Sequence, residues 1–197
     1  MRSVSAAIVV VCLFLGIFSK GFAADREALH LRSIQADFIQ EKHLKILARP
    51  IVSTGTFAFQ APQSLRWEYV KDIPSVLLMY DGKVKKYVQR DGKFIEDKSM
   101  GFGSMQVVLG QISEWLDGRF RDNDMFTVTF ADERSVQLTP RDSAMAGLIS
   151  RIELQFAEQK GLLDSVTIYE GPDSYTRMTF QNRVLNTTLP SSLFIIK

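Results

Sequence analysis

Residues 53–69, Ser-Thr-Gly-Thr-Phe-Ala-Phe-Gln-Ala-Pro-Gln-Ser-Leu-Arg-Trp-Glu-Tyr, decide the fold of this chain. They read as two strands joined by a turn at 61–64. Because side chains alternate along a strand, five large apolar residues fall on one face of this pair. These are Phe57, Phe59, Leu65, Trp67 and Tyr69. The segment therefore predicts an apolar sheet face that must be covered, either by the protein's own helices or by an apolar ligand.

Strand patterns continue on both sides of this segment, separated by turn-forming residues. The predicted strands are 34–44, 75–80, 84–89, 94–96, 126–130, 135–139, 149–156, 163–169, 175–184 and a short final piece at 193–196. Apolar residues at helical spacing predict one clear helix over 104–117, and an acidic first turn predicts a short helix over 25–33. Residues 141–147 are predicted to form a mobile loop. About ten strands in hairpin order indicate a mainly β fold, an unclosed antiparallel barrel covered on one face by helices.

The first 23 residues have the features of a secretory signal peptide. Arg2 supplies a positive start, residues 6–18 are almost continuously apolar, and Gly21 and Ala23 provide small residues before a cut. We expect cleavage after Ala23, rather than retention as a membrane anchor, because the apolar run is short for a membrane span. Residues 24–197 are then expected to form a single exported domain.

Charge and cysteine content exclude several classes of function. The chain has 24 Lys and Arg against 22 Asp and Glu, and loss of residues 1–23 would remove Arg2 and Lys20 and leave 22 of each. A neutral domain without a long basic stripe does not predict nucleic-acid binding. The single cysteine, Cys12, lies in the signal sequence, so neither disulfides nor a cysteine nucleophile are expected after cleavage.

Signals for catalysis or metal binding are weak. His30 and His43 are the only histidines, and their spacing of thirteen residues fits no metal-binding motif. The glycines of Gly101-Phe102-Gly103-Ser104 lack the rest of a nucleotide-binding loop. The sequence therefore predicts neither an enzyme nor a cofactor or metal site.

Apolar side chains are the remaining candidates for a functional site. A strongly curved sheet with few helices is hard to fill completely, so an internal apolar cavity is one interpretation and an ordinary solid core is the other. The candidate lining comprises Phe38, Phe57, Phe59, Leu65, Trp67, Tyr69, Leu78, Tyr80, Leu109, Ile112, Leu154, Phe156, Ile168, Met178 and Phe180.

Several short pieces resemble the LolA-like family of periplasmic outer-membrane lipoprotein carriers, and they occur in family order along most of the chain. They are Ala36-Asp37-Phe38-Ile39-Gln40, Thr54-Gly55-Thr56-Phe57-Ala58-Phe59, Pro62 with Leu65-Arg66-Trp67-Glu68-Tyr69, Tyr80-Asp81-Gly82-Lys83, Ile152-Glu153-Leu154-Gln155-Phe156 and Thr176-Arg177-Met178-Thr179-Phe180-Gln181-Asn182. The resemblance implies an unclosed barrel with a helical lid. It also implies a carrier that accepts acyl chains of a lipoprotein, or a related lipid, from an inner-membrane exporter and hands them to an outer-membrane acceptor. We expect such a carrier to be monomeric.

The chain departs from the family pattern in two places. Typical members carry Arg-Pro before the tryptophan strand, with the arginine bonded to the lid, whereas this chain has Ala61-Pro62. Typical members also continue beyond the last strand, whereas this sequence stops at Lys197. The departures favour a divergent paralogue.

Two other hypotheses stay open from the sequence: a small-molecule enzyme on the same curved sheet, and a non-transporting interaction module of the cell envelope.

Overall fold

The computed structural model describes residues 31–71, 73–80, 83–98, 109, 111–112, 114–116, 123–159 and 162–196. Eleven strands form one antiparallel sheet. They are β1 (Ser33–His43), β2 (Ile51–Gln60), β3 (Ser64–Tyr69), β4 (Ser75–Tyr80), β5 (Lys83–Arg90), β6 (Lys93–Glu96), β7 (Phe126–Phe130), β8 (Ser135–Pro140), β9 (Arg151–Phe156), β10 (Leu163–Gly171) and β11 (Ser174–Leu185).

The spatial order of the strands is β6-β5-β4-β3-β2-β1-β11-β10-β9-β8-β7. Nearly every strand pairs with its neighbour in sequence, and the β1–β11 pairing joins the two halves at the centre. The edges are β6 and β7, so the sheet is not closed. The chain passes from one edge to the other through residues 97–125, which include helical residues at 109, 111–112 and 114–116.

One face of the sheet, which we call the inner face, carries the main core. Pairing of Phe57 with Trp67 and of Phe59 with Leu65 confirms the face predicted from residues 53–69. Helical residues Leu109 and Trp115 belong to the same buried cluster as these sheet side chains. The predicted fold is therefore confirmed as a mainly β, unclosed and curved antiparallel sheet. Among the described residues, the helical side chains buried in this cluster come from one segment, and Met145 packs against the cluster from elsewhere.

The opposite, outer face has a smaller apolar cluster over β2–β4. It consists of Ala58, Leu189 and Phe194, with Leu193 packed against it. The C-terminal residues thus cross the back of these strands, and a 3₁₀ helix at Ser191–Phe194 lies against β3 and β4. Because of this cover, Val76 and Leu78 of β4 are buried on the outer face.

The structure corrects the predicted strand at 193–196. This segment begins inside the 3₁₀ helix Ser191–Phe194, where the Leu193 amide donates to the Pro190 carbonyl at 2.9 Å. The chain leaves the sheet at Asn186, whose φ of 56° lies in the left-handed region. The apolar side chains of the segment are used in packing on the outer face instead of in strand pairing.

Two further local predictions need correction. The predicted loop at 141–147 contains the short helix Ser143–Ala146, because the Asp142 carboxylate accepts hydrogen bonds from the amides of Ala144 and Met145. The helix predicted over 25–33 ends in extended backbone, since Ser33 already begins β1; residues 25–30 lie outside the described residues. The described part of the 104–117 prediction is helical.

The predicted signal sequence also lies outside the described residues. Within the part of the chain that the structure describes, no helix reaches the length and apolarity needed to cross a bilayer.

Gly55 provides a test of how closely the inner face is packed. A Cβ atom at this position would lie 1.8 Å from the Glu68 carbonyl oxygen and 2.6 Å from Cζ of Phe38. We expect Gly55→Ala to lower the free energy of unfolding by about 2 kcal/mol or more, because strand backbone and a buried ring must both move. Urea unfolding of the purified protein measures this.

Gly171→Ala is the matched control, because no atom lies within 4 Å of the added Cβ. We expect this variant to stay within about 0.5 kcal/mol of the parent. Equal stability of the two variants would contradict the packing at Gly55.

Candidate functional site

Aromatic rings from four adjacent strands meet at the centre of the inner face. The Trp67 ring lies 4.7 Å from Phe38, 5.3 Å from Phe57 and 6.0 Å from Phe180, measured between ring centroids. The rings are tilted or edge-on to one another, which are the favourable geometries for aromatic pairs. Register places them together, because Phe57 pairs with Trp67 and Phe38 pairs with Phe180.

Aliphatic side chains extend this aromatic centre across the other half of the sheet. Val166 pairs with both Met178 and Leu154, and Leu154 pairs with Val136. All four side chains are at most 1% exposed. The inner face is thus apolar from β3 through β8, a distance of several strands, and this continuity distinguishes it from the outer face.

Thirteen of the fifteen residues predicted from sequence lie in or against this inner cluster. They are Phe38, Phe57, Phe59, Leu65, Trp67, Tyr69, Leu109, Ile112, Leu154, Phe156, Ile168, Met178 and Phe180. Sequence analysis missed Leu77 and Met79, which pair with Trp67 and Leu65 and share their face.

Leu78 and Tyr80 are the two residues that the sequence assigned to the wrong face. Leu78 pairs with Arg66 on the outer side, and Tyr80 follows it there with 63% of its surface exposed. The error has a physical cause. The run Val-Leu-Leu-Met in β4 is unbroken and apolar, and its outer side, which the C-terminal 3₁₀ helix contacts, is buried as well. Alternation cannot fix the face of a strand that is buried on both sides.

The helical segment contacts the inner cluster through side chains on one face. Leu109, Ile112, Trp115 and Leu116 are each at most 3% exposed. A polar contact also holds the segment to the sheet, since the Asn123 amide nitrogen donates to the Gln111 side-chain oxygen. Asn123 in turn accepts from the amides of Met125 and Phe126 at the start of β7, at 2.8 and 3.1 Å.

Two buried indole groups lie in the apolar cluster. The Nε1 atom of Trp115 finds no hydrogen-bond acceptor within the described residues. The Trp67 indole makes no short hydrogen bond either, but it interacts with the Tyr69 hydroxyl closely enough to oppose the rise that burial causes in the pKa of that phenol. A buried unsatisfied donor costs about 1–3 kcal/mol. The inner face therefore offers the Trp115 N–H group to an acceptor outside the described residues.

Polar residues appear where the inner face approaches one end of β1–β3. The Tyr69 hydroxyl donates to the Gln40 side-chain oxygen at 2.8 Å. Nearby, Lys42 forms an ion pair with Glu170 at 3.3 Å. This end of the inner face is therefore amphipathic, with rings inside and hydrogen-bonding groups toward the strand ends.

The outer face has a different character. Arg66 binds Glu68 at 2.7 Å and donates to the Leu193 carbonyl at 3.3 Å, as expected for a pair that points away from Trp67. A recess of about 230 Å³ beside this pair is lined partly by polar residues, including Asp37 and Asn182. Among the described residues, no group of three or more His, Cys, Asp or Glu side chains is arranged to hold a metal ion.

Residues 30–197 match the model of the family described as "Outer membrane lipoprotein carrier protein LolA". No curated protein sequence matches the chain. Among solved structures, a DUF1329 family protein from Desulfovibrio piger is similar at 11% identity, with a TM-score of 0.46 over 84% of this chain and 90% of that one. A LolA superfamily protein from Nitrosomonas europaea is 12% identical, with a TM-score of 0.44 over 87% and 94%. The MucA/MucB complex of Pseudomonas aeruginosa is 15% identical, with a TM-score of 0.38 over 88% and 57%.

Titration of Tyr69 tests the burial of the amphipathic end. Burial raises the pKa of its phenol to about 12, from a reference of 10.0. Between pH 10 and pH 12 the unfolded chain therefore loses this proton while the folded protein keeps it. The contribution of the buried phenol to the free energy of unfolding is fully present below pH 10. It decreases between pH 10 and pH 12, by at most about 1.4 kcal/mol per pH unit.

Urea unfolding across this pH range, compared with Tyr69→Phe, isolates the contribution of the phenol. We expect the parent to lose stability more steeply than the variant between pH 10 and pH 12. Parallel curves would show that the phenol is not shielded from water.

Proposed function

The chain belongs to the LolA family of outer membrane lipoprotein carrier proteins, and on that premise we propose that it carries acyl chains across the periplasm. Acyl chains of a lipoprotein, or of a related lipid, would lie between the inner sheet face and the helical segment. The observation that carries the proposal is the continuous apolar inner face, which runs across several strands and joins the helical segment in one cluster.

The chemistry of the inner face suits such a cargo. Burial of acyl chains is worth about 0.8 kcal/mol per CH₂ group, so even part of one chain gives substantial affinity. The free indole N–H group of Trp115 matches the carbonyl oxygens by which acyl chains are attached. The thirteen sequence-predicted residues that lie in or against the inner cluster would form the wall of this site.

Release of cargo requires that the helical segment separate from the sheet. The segment connects the sheet's two edges and is not part of its hydrogen-bonded ladder. It would act as a lid, held by Leu109 and its apolar neighbours and by the Asn123–Gln111 contact. Transfer of cargo to the acceptor must release more free energy than opening the lid costs. The contact between the lid and the sheet should therefore be weak.

Ala61 bears on how the lid would be held. It is exposed in the β2–β3 turn, and its amide donates to the Arg32 carbonyl at 2.9 Å. Arg66 points to the outer face, so it cannot replace the arginine that typical members carry at position 61. In this protein the lid would be held, among the described residues, by apolar contacts, the Asn123 bonds and the contact from Gln111 to the Met125 sulfur.

We further propose that residues 1–23 are a cleaved signal peptide and that residues 24–197 work as one periplasmic domain. The exporter would be an inner-membrane protein and the acceptor an outer-membrane protein, as the family resemblance implies. We propose a non-enzymatic, cofactor-free monomer. Native mass spectrometry of protein recovered from its own cells tests the function directly: co-purified acylated species support it, and only cargo-free protein counts against it.

Leu109→Glu tests the inner site. A carboxylate at this buried position would separate the helical segment from the apolar face, while the strand ladder remains intact. We expect binding of a fluorescent fatty acid to fall at least tenfold.

Leu189→Glu is the matched control, because it puts the same charge into the apolar cluster on the outer face. We expect it to lower stability but to leave fatty-acid binding within about twofold of the parent. Melting curves are recorded for both variants. If both lose binding in proportion to stability, or if neither does, the inner site is the wrong one.

A further inference from the structure

Exposed apolar residues are concentrated at one end of the sheet. Two neighbouring connections, β1–β2 and β3–β4, together with the adjoining strand ends, hold six of them. These are Ile46, Leu47, Ile51, Val52, Val70 and Ile73. Ile46 is 87% exposed, Ile73 is 68% exposed, and the other four lie between 43% and 50%.

Strand pairing places these side chains together. Lys42 at the end of β1 pairs with Ile51 at the start of β2, and the amide of Val70 donates to the Thr54 carbonyl at 3.1 Å. The β1–β2 connection and the β3–β4 connection are therefore adjacent, because β2 lies between β1 and β3. We call these six residues the apolar tip.

The β1–β2 part of the apolar tip is flanked by basic residues, whereas in the β3–β4 connection Lys71 is followed by Asp72. Residues 44–52 read Leu-Lys-Ile-Leu-Ala-Arg-Pro-Ile-Val, with two cations and no acid. Lys45 pairs with Asp173 at 3.0 Å, but both side chains are largely exposed, so solvent and salt weaken that pair. Arg49 and Lys71 are exposed and form no ion pair within the described residues. Branched apolar side chains beside free cations are the combination that binds the interface of an anionic bilayer.

We propose that the apolar tip docks on the surface of a bilayer containing anionic phospholipids. The apolar side chains would enter the headgroup–acyl boundary, and Lys45, Arg49 and Lys71 would lie among the phosphates. A symmetric contact with a second copy fits less well, because it would bring these cations against each other. This inference goes beyond the carrier function and does not require it.

The tip lies next to the amphipathic end of the inner face. Val70 directly follows Tyr69, whose hydroxyl binds Gln40 on the inner side. A protein docked through the tip would therefore present this end of its inner face to the bilayer. Cargo leaving the inner face there would have a short path to the lipid.

Vesicle co-sedimentation tests the proposal. The protein is purified after export, with its N-terminus checked by mass spectrometry, because the apolar run at 6–18 would itself bind vesicles. We expect binding to vesicles of phosphatidylcholine with phosphatidylglycerol, weaker binding to phosphatidylcholine alone, and a decrease with added salt. Ile46→Ser with Leu47→Ser, and separately Lys45→Glu with Arg49→Glu, should each weaken binding at least about tenfold.

Control variants carry matched changes outside the apolar tip. Lys83→Glu with Arg134→Glu alters charge equally, and Val184→Ser with Ile195→Ser removes two exposed apolar residues. Both should bind vesicles within about twofold of the parent. The proposal is overturned if the parent does not bind anionic vesicles, or if tip and control variants lose binding alike. Concentration-dependent dimers abolished only by the tip variants, without vesicle binding, would assign the tip to a second copy instead.

Fatty-acid binding is measured on the same variants. If the tip variants lose vesicle binding but keep fatty-acid binding, the result supports the tip proposal and shows that the two sites are separate. Absence of fatty-acid binding in the parent would count against the carrier function while leaving the tip result unaffected.

Discussion

The Trp67 side chain contacts rings from three other strands, and the inner face is organised around that contact. A sheet of eleven strands cannot be stable in water with one face apolar and uncovered, because the exposed area would be far larger than soluble proteins tolerate. Here the apolar face continues from the ring cluster into the aliphatic side chains of β8–β11. The helical segment between β6 and β7 covers it. Each aromatic pair adds about 0.5–1.5 kcal/mol beyond burial, which favours this register over a one-residue slip.

The proposed carriage of lipid would place opposing demands on the same surface. The inner face would have to be apolar enough to bind acyl chains, yet its cover would have to separate when cargo enters or leaves. In this fold the two demands fall on different parts of the chain. The ladder of paired strands supplies stability, and the helical segment contributes side-chain contacts only. A ligand could therefore replace those contacts without breaking strand pairing.

Much of the fold follows from the sequence, because most strands are apolar on one side only. Alternation around Trp67 and around Leu154 identifies the inner face, and turn-forming residues separate the strands. The prediction failed where burial was two-sided, at Leu78 in β4, and where short segments depend on tertiary contacts or a single cap, at 193–196 and at Asp142. The apolar tip was not predicted as a surface, because periodicity does not distinguish an exposed Ile46 from a buried one.

The C-terminal segment has a consequence for the dynamics of the sheet. With Leu189 and Phe194 on the outer side and the ring cluster on the inner side, the backbone hydrogen bonds joining β2, β3 and β4 lie beneath apolar cover on both faces. On β9 and β10, the outer side instead carries solvated polar pairs such as Arg151 with Glu153. Water therefore reaches one half of the ladder more easily than the other. The two halves should differ in hydrogen exchange, with a slow half behind Trp67 and a faster half behind Leu154.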